Sequence, residues 1–234
     1  MKSKKKGGRK GRRLLRKTIK IILIATLSIS CWEIGKKQYC YISNQREHAA
    51  LIREKEKTNI QNYLYDKKYD WIKLSNTAID YPLVIATDNQ YYLTHNHEGK
   101  SSIAGAIYYD SSDEIYNGNL TVIYGHSMRD GTMFNNLHYF PKDIDRFNSS
   151  ELTISTKEGD KKYKPLGFAI YNGNDSFYKQ LDAIDTGSLK ASLQYRCEYI
   201  NNTEIKRDDH IIGLITCDYS IENGRLIVFY VEEN

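Results

Sequence analysis

Cysteine and proline are scarce in this 234-residue chain, at 4 and 3 residues. Four thiols with no Cys-x-x-Cys spacing exclude a disulfide-stapled mini-domain, a zinc knuckle and a thioredoxin-type redox pair. No internal repeat is visible, and no low-complexity segment follows Lys20, so solenoids and tails are set aside. Acidic residues are absent from Met1 to Lys20, which holds eleven Lys and Arg. The chain's formal +5, less that +11, leaves −6 for the remainder. A mildly acidic body argues against a nucleic-acid surface, and no nucleic-acid partner is expected. A long uncharged run is also missing, since Ile21 to Trp32 covers only 12 residues, whereas a full span takes about 20.

What is present is a basic block followed by an apolar segment, Ile19 to Ile34. Lys20 can snorkel, and Leu14 and Leu15 extend the apolar surface, so a tilted or short membrane anchor is the expectation. Two competing readings exist. Ser28-Ile29-Ser30 passes as a small-x-small signal-peptide site. Cys31 suggests lipoprotein processing, although Ser28 stands where such sites take a larger apolar residue. All three readings export Lys36 onward. The basic block holds the N-terminus in the cytoplasm, so the expected topology is single-pass, with the body outside and membrane lipid as a partner. The organisation predicted is a basic tail over 1–18, an anchor over 19–35, a helical stalk over 36–68 and a single globular domain over 69–234.

Ser43 to Tyr65 reads as one helix, rich in Glu, Lys, Arg and Gln and without Gly or Pro. Its charged face reads as solvated. From Trp71 the texture changes to short strands: Trp71–Leu74, Tyr81–Ile85, Ile103–Tyr109 and Leu120–Tyr124. A hairpin follows, Leu152–Thr156 with Tyr163–Tyr171. Ile211–Cys217 and Leu226–Val231 complete the set. Ser176 to Cys197 is the one internal helical stretch, in two pieces. Many short strands with few helices predict a closed or sandwiched, mostly-β domain.

Chemistry-bearing residues stand at the strand ends. His126 closes the run from Leu120, Cys217 closes the run from Ile211, and Arg225 opens the last strand. Seven residues separate Cys217 from Arg225. If the two strands pair antiparallel, these two face each other across the loop mouth. A free thiol has a pKa of about 8.5 and attacks only as thiolate. A neighbouring His or Arg favours that form, and the thiolate adds to a peptide carbonyl to give a thioester. A His then protonates the departing amine, while the Arg fork holds the oxyanion.

Other candidates have plainer readings. Cys197 reads as a core thiol, Asp218 as a loop carboxylate and His138 as packing after the active-site loop. His48 and His210 read as structural or exposed. His95-x-His97 would place two imidazoles on one face if it lay in a strand, but Asn96, Glu98, Gly99 and Lys100 read as a loop, no third ligand is nearby, and no metal or cofactor is expected.

Tyr124-Gly125-His126-Ser127, Leu214-Ile215-Thr216-Cys217 and Arg225-Leu226-Ile227-Val228 resemble, in order and spacing, the three motif segments of the sortases. The N-terminal helix, the helical pair near Ser176–Cys197 and the stretch Thr87–Leu93 resemble class B of that family. The resemblance covers about Trp71 to Val231. It implies a closed β-barrel of about eight strands, with an N-terminal helix and an inserted helix before the cysteine strand. It implies His126, Cys217 and Arg225 as the catalytic set. Asn89, Leu93, Tyr124, Ile215 and Thr216 would bind substrate, with the loop near Tyr178–Ile184. The implied activity is cleavage of a sorting signal after Thr, in an Asn-Pro-x-Thr-like motif, through a Cys217 thioester. The acyl group then passes to an amine of a peptidoglycan precursor or cell wall. The implied partners are surface proteins with a C-terminal sorting signal, on a Gram-positive cell. Class B members often carry Ser two places before the cysteine, where this chain has Ile215. Two alternatives stay open: a pilin-polymerising enzyme, and a non-catalytic tethered module that holds peptides in the same groove. Papain-like and cell-wall amidase families fit poorly, because there the Cys precedes the His, whereas His126 precedes Cys217 by 91 residues.

Overall fold

The computed structural model describes residues 5–110, 120–175, 191, 193–206 and 209–233. The chain divides into two compact units, Met1–Arg46 and Glu47–Asn234. The described residues of the first unit form a single helix, the start of α1 (Lys5–Lys55). It contains the apolar segment Ile19–Ile34, and α1 is the one described helix long and apolar enough to cross a membrane. No break marks the predicted borders at 18/19 or 35/36, as expected of a sequence without Pro there.

The second unit begins with the last turns of α1, followed by α2 (Ile60–Leu64). The single helix expected over Ser43–Tyr65 is therefore interrupted. Asn59 takes an extended conformation and its side chain accepts the Gln61 N–H at 2.9 Å. An Asn cap satisfies a helix-start donor that would otherwise be orphaned, so the chain restarts there. The charged segment is also less solvated than its composition suggests. Leu51, Ile52 and Ile60 pack on Tyr63, Leu64 and Trp71. Lys55 pairs with Asp80 at 2.5 Å and lies 4.6 Å from the Trp71 ring centroid, while the Trp71 indole donates to the same carboxylate. His48 stacks on Tyr81 at 4.0 Å.

Nine strands occur among the described residues: β1 (Tyr69–Leu74), β2 (Asp80–Ile85), β3 (Ile107–Tyr109), β4 (Leu120–Tyr124), β5 (Leu152–Ser155), β6 (Asp160–Asn172), β7 (Tyr199–Ile200), β8 (Ile211–Asp218) and β9 (Gly224–Glu232). Their order is β5-β1-β2-β3-β4-β8-β9-β6-β7, and β5 also pairs with β6. Eight strands thus close into a mixed barrel, with β7 added outside the ring. The β2–β3 and β4–β8 pairs are parallel and the others antiparallel. Closure leaves no edge in the ring. In β6 the register shifts between Pro165 and Gly167, a bulge that tolerates a proline. Beyond it, Gly167 lets β7 approach, since a Cβ there would lie 2.6 Å from the Tyr199 carbonyl.

The predicted hairpin over 152–171 is present as β5 and β6. Of the strand expected over Ile103–Tyr109, only Ile107–Tyr109 is extended. Gly105 has φ +60°, a left-handed residue that ends pairing. The helices predicted within Ser176–Cys197, including the insertion before the cysteine strand, fall largely outside the described residues; Leu193–Arg196 is helical.

His210, at the foot of β8, is buried at 7% exposure. Its Nε2 meets the Thr121 hydroxyl at 2.8 Å and its Nδ1 the Tyr163 hydroxyl at 3.1 Å. Burial lowers its pKa from 6.5 to about 4, against a smaller opposing pull from Glu232. The folded value is depressed, so stability is intact above pH 6.5 and declines as pH falls toward 4, where the unfolded chain binds the proton first. The loss at the acid limit is about 3 kcal/mol. Urea unfolding of the full chain across that window should show it, and His210→Gln should flatten the decline.

Candidate active site

The parallel β4–β8 register sets the site. Leu120 pairs with Ile211 and Tyr124 with Ile215, an offset of 91 that, carried two residues further, sets His126 level with Cys217. The extension is held by two bonds: Gly125 N–H donates to the Ile215 carbonyl at 3.1 Å, and the Thr216 hydroxyl donates to the Gly125 carbonyl at 2.8 Å. On the other side, antiparallel β8–β9 pairing puts Cys217 directly opposite Arg225. Residues opposed on neighbouring strands point to one face, and strands lie about 4.8 Å apart. His126, Cys217 and Arg225 therefore come from three adjacent strand ends onto one surface, all half-exposed.

That surface is the wall of a cleft of about 240 Å³. Eight residues proposed from the sequence line it: His126, Cys217, Arg225, Asn89, Leu93, Tyr124, Ile215 and Thr216. Ala106, Tyr108 and Gly125 complete the lining and were not anticipated. Ala106 and Tyr108 alternate on one face of the run that the sequence marked as strand, which was the available signal. The Tyr178–Ile184 loop lies outside the described residues.

His126 Nε2 lies 2.8 Å from the Leu93 carbonyl. A carbonyl only accepts, so Nε2 carries the proton. Leu93 belongs to a short 3₁₀ turn, Tyr91–Leu93. The turn is pinned by Ala106 N–H to the Tyr92 carbonyl at 2.9 Å. Gly105 makes this approach possible. A Cβ there would stand 2.4 Å from the Tyr92 carbonyl oxygen, 3.0 Å from that of Leu93 and 3.2 Å from the His126 ring.

The Arg225 guanidinium donates to the carbonyls of Gly224 at 2.8 Å and Asn223 at 3.4 Å. Among the described residues no carboxylate pairs with it. Asn89 donates its amide to the Asp110 carboxylate at 2.9 Å, and Tyr108 donates to the Asn89 carbonyl at 3.2 Å. The Tyr108 and Tyr124 rings sit 5.6 Å apart.

A family model for the sortase domain matches residues 72–232. The chain is 30% identical over 237 residues to sortase B of Listeria monocytogenes, covering 92% of this chain and 95% of that one. The chain belongs to the sortase family. Its structure resembles Clostridium perfringens sortase B with a TM-score of 0.64 at 27% identity, covering 74% of this chain and 98% of that one. A Streptococcus pyogenes class B sortase involved in pilus biogenesis shares the fold, with a TM-score of 0.65 at 23% identity over 74% of this chain and 96% of the other. The protein is a sortase of class B, a cysteine transpeptidase.

In this sortase the other cysteine of the domain has a different environment. Cys197 packs against the cluster of Tyr171, Ile215 and Ile227. Burial, reinforced by Glu198, pushes its thiol up to about 12, so it stays protonated at neutral pH. Cys197 and Cys217 are both free thiols. His95 stacks on Tyr91 at 4.1 Å and His97 packs edge-on to Tyr69 at 5.2 Å. Two plain readings need correction. His138 is more than packing and Asp218 more than a loop carboxylate, because His138 Nδ1 lies 3.3 Å from Asp218 Oδ2.

Gly105→Ala tests the support under His126. A residue with a Cβ at positive φ costs about 1–2 kcal/mol, and relief of the contact moves the Leu93 carbonyl. The expected result is a lower melting temperature together with a loss of kcat of about tenfold or more. Unchanged turnover would show that His126 does not depend on Leu93.

Proposed function

We propose that this sortase cleaves a C-terminal sorting signal after threonine, in an Asn-Pro-x-Thr-like motif, and joins the new carboxyl end to a cell-wall amine. The observation that carries the reading is the convergence of His126, Cys217 and Arg225 from three neighbouring strand ends in one cleft. In this reading the Cys217 thiolate adds to the threonine carbonyl. The Arg225 fork, steadied by its bonds to Gly224 and Asn223, takes the developing oxyanion. His126, oriented through Leu93, gives a proton to the departing amine, which leaves a Cys217 thioester. An acceptor amine of peptidoglycan then attacks. His126 recovers a proton from it as the C–S bond breaks, and the Cys217 thiolate is released.

Asn89, Leu93, Tyr124 and Ile215 are assigned to the substrate groove. Thr216 has its hydroxyl committed to Gly125, so its assignment is to hold the strand end in place. The apolar part of α1 anchors the enzyme as a single span, with the basic tail cytoplasmic and the barrel outside.

The test uses the full chain in detergent micelles with quenched peptides of Asn-Pro-x-Thr, Ser-Pro-x-Thr and Leu-Pro-x-Thr types. Cleavage after Thr, with an added acyl mass on Cys217, supports the reading and names the motif. Adding a peptidoglycan stem amine or a pilin lysine peptide identifies the acceptor. A Cys217 that labels with a thiol reagent, without cleavage of any peptide, would remove the proposed motif. An inert Cys217 would move the assignment to a peptide-holding module.

A further inference from the structure

The segments next to His126 and Cys217 are joined by a chain of side chains behind the cleft. The carrier is a 3₁₀ segment, Phe134–Lys142, whose first N–H donates to the His126 carbonyl at 2.9 Å. It brings two side chains to Ser127. Asn135 Nδ2 donates to the Ser127 hydroxyl at 3.1 Å, and His138 Nε2 lies 3.2 Å from the same oxygen. The other imidazole nitrogen, Nδ1, meets Asp218 Oδ2 at 3.3 Å. The second carboxylate oxygen accepts from the Ser220 N–H at 2.8 Å and from its hydroxyl.

One proton arrangement satisfies every member. A carboxylate only accepts, so His138 carries a proton on Nδ1, and in that tautomer of the neutral ring Nε2 accepts from the Ser127 hydroxyl. The Ser127 oxygen accepts in turn from the Asn135 amide. All bonds point the same way, from Asn135 through Ser127 and His138 to Asp218. The site is largely dry, with Asp218 8% exposed and the His138 side chain 23%.

Strand alternation keeps this chain off the reacting atoms. Cys217 points into the cleft, so Asp218 points to the opposite face of β8. Each end of the relay is nonetheless one peptide unit from a reacting residue: Ser127 follows His126 and Asp218 follows Cys217. Ser220 lies in the loop that returns to Arg225.

We propose that the Ser127–His138–Asp218 relay is a positioning device for the transpeptidation reaction, locking the His126 segment to the end of the Cys217 strand. His138, Ser127 and Asp218 are positioning residues and touch no substrate. The inference rests on the reading of Cys217 and His126 given above. Dispersed ties of this kind matter because misplacement of a reacting pair by about 1 Å costs about 100-fold in rate.

The experiment uses the full chain in detergent, with peptide turnover and iodoacetamide alkylation of Cys217 read in parallel. His138→Phe keeps a ring and removes both bonds. The expected result is a fall in kcat of about 10- to 100-fold with KM within about twofold. The Cys217 alkylation rate should shift by about threefold or more in the same variant, since the thiol and imidazole no longer hold their relative position. His138→Asn restores a donor toward Asp218 and should recover part of kcat. Ser127→Ala should cost kcat by itself and add little in the His138→Phe background, because both cut one chain. Full additivity, or unchanged kcat and unchanged alkylation in all variants, overturns the proposal. A lowered melting temperature with kcat intact does the same. If His138→Phe does not fold, Ser127→Ala and His138→Asn decide by the same readouts. If the wild-type chain cleaves no peptide, the function reading fails separately, and the alkylation rates alone judge the relay.

Discussion

Cys217→Ala is expected to reduce cleavage of the preferred sorting peptide by at least about 10⁴-fold, to the level of the peptide alone. Removing the nucleophile from a set that acts as a unit forfeits nearly all of the covalent route, whatever the remaining members do. Neither His126 nor Arg225 substitutes, since in the proposed mechanism one carries a proton and the other only donates hydrogen bonds. Cys197 offers no replacement thiolate, because burial holds its thiol near 12. The fold should survive the change. Cys217 is half-exposed at the last turn of a strand whose neighbours Ile215 and Thr216 are buried, and β8 stays laddered between β4 and β9. A melting temperature within a few degrees of wild type, with peptide still bound, is the expected control. Turnover above one-hundredth of wild type would remove Cys217 from the mechanism.

The features legible in the sequence were those fixed by short-range pattern. The runs Leu120–Tyr124 and Ile211–Cys217 are rich in β-branched and apolar residues and carry no charge, as strands buried on both faces do, and both appear almost to the residue. The seven-residue loop between Cys217 and Arg225 foretold that the two would oppose each other, and they do. Other features depend on partners distant in the chain. Ile103–Ala106 has strand composition, but the Tyr92 carbonyl captures Ala106 and Gly105 turns left-handed. β7 has two residues and exists because the β6 bulge and Gly167 admit it. His138 looked like packing because its two partners lie 11 positions before it and 80 after it in the chain. No local pattern reports that Asp218 points to the face where His138 waits. Helix 43–65 was misread for a related reason: a strong helix composition does not reveal that Asn59 caps a second start.

Arg225→Lys is expected to lower kcat by about 100-fold or more while KM changes little, because the loss falls on the oxyanion and not on the bound peptide. The charge is conserved in this variant, so a purely coulombic role predicts near-normal turnover. The geometry argues otherwise. Arg225 opposes Cys217 in register, and one guanidinium nitrogen is already committed to the carbonyls of Gly224 and Asn223. Five N–H groups in a rigid plane allow that anchoring while others in the fork face the carbonyl under attack. A lysine ammonium has three donors on one atom and a flexible stem, so any bond it makes to Gly224 draws its charge away from the oxyanion. The acyl-enzyme step should therefore slow, and mass spectrometry under single turnover should show the Cys217 thioester forming late. A lysine variant with wild-type kcat and a normal acylation phase would leave Arg225 as an anchor of the β8–β9 loop, and the oxyanion would need other donors along the cleft.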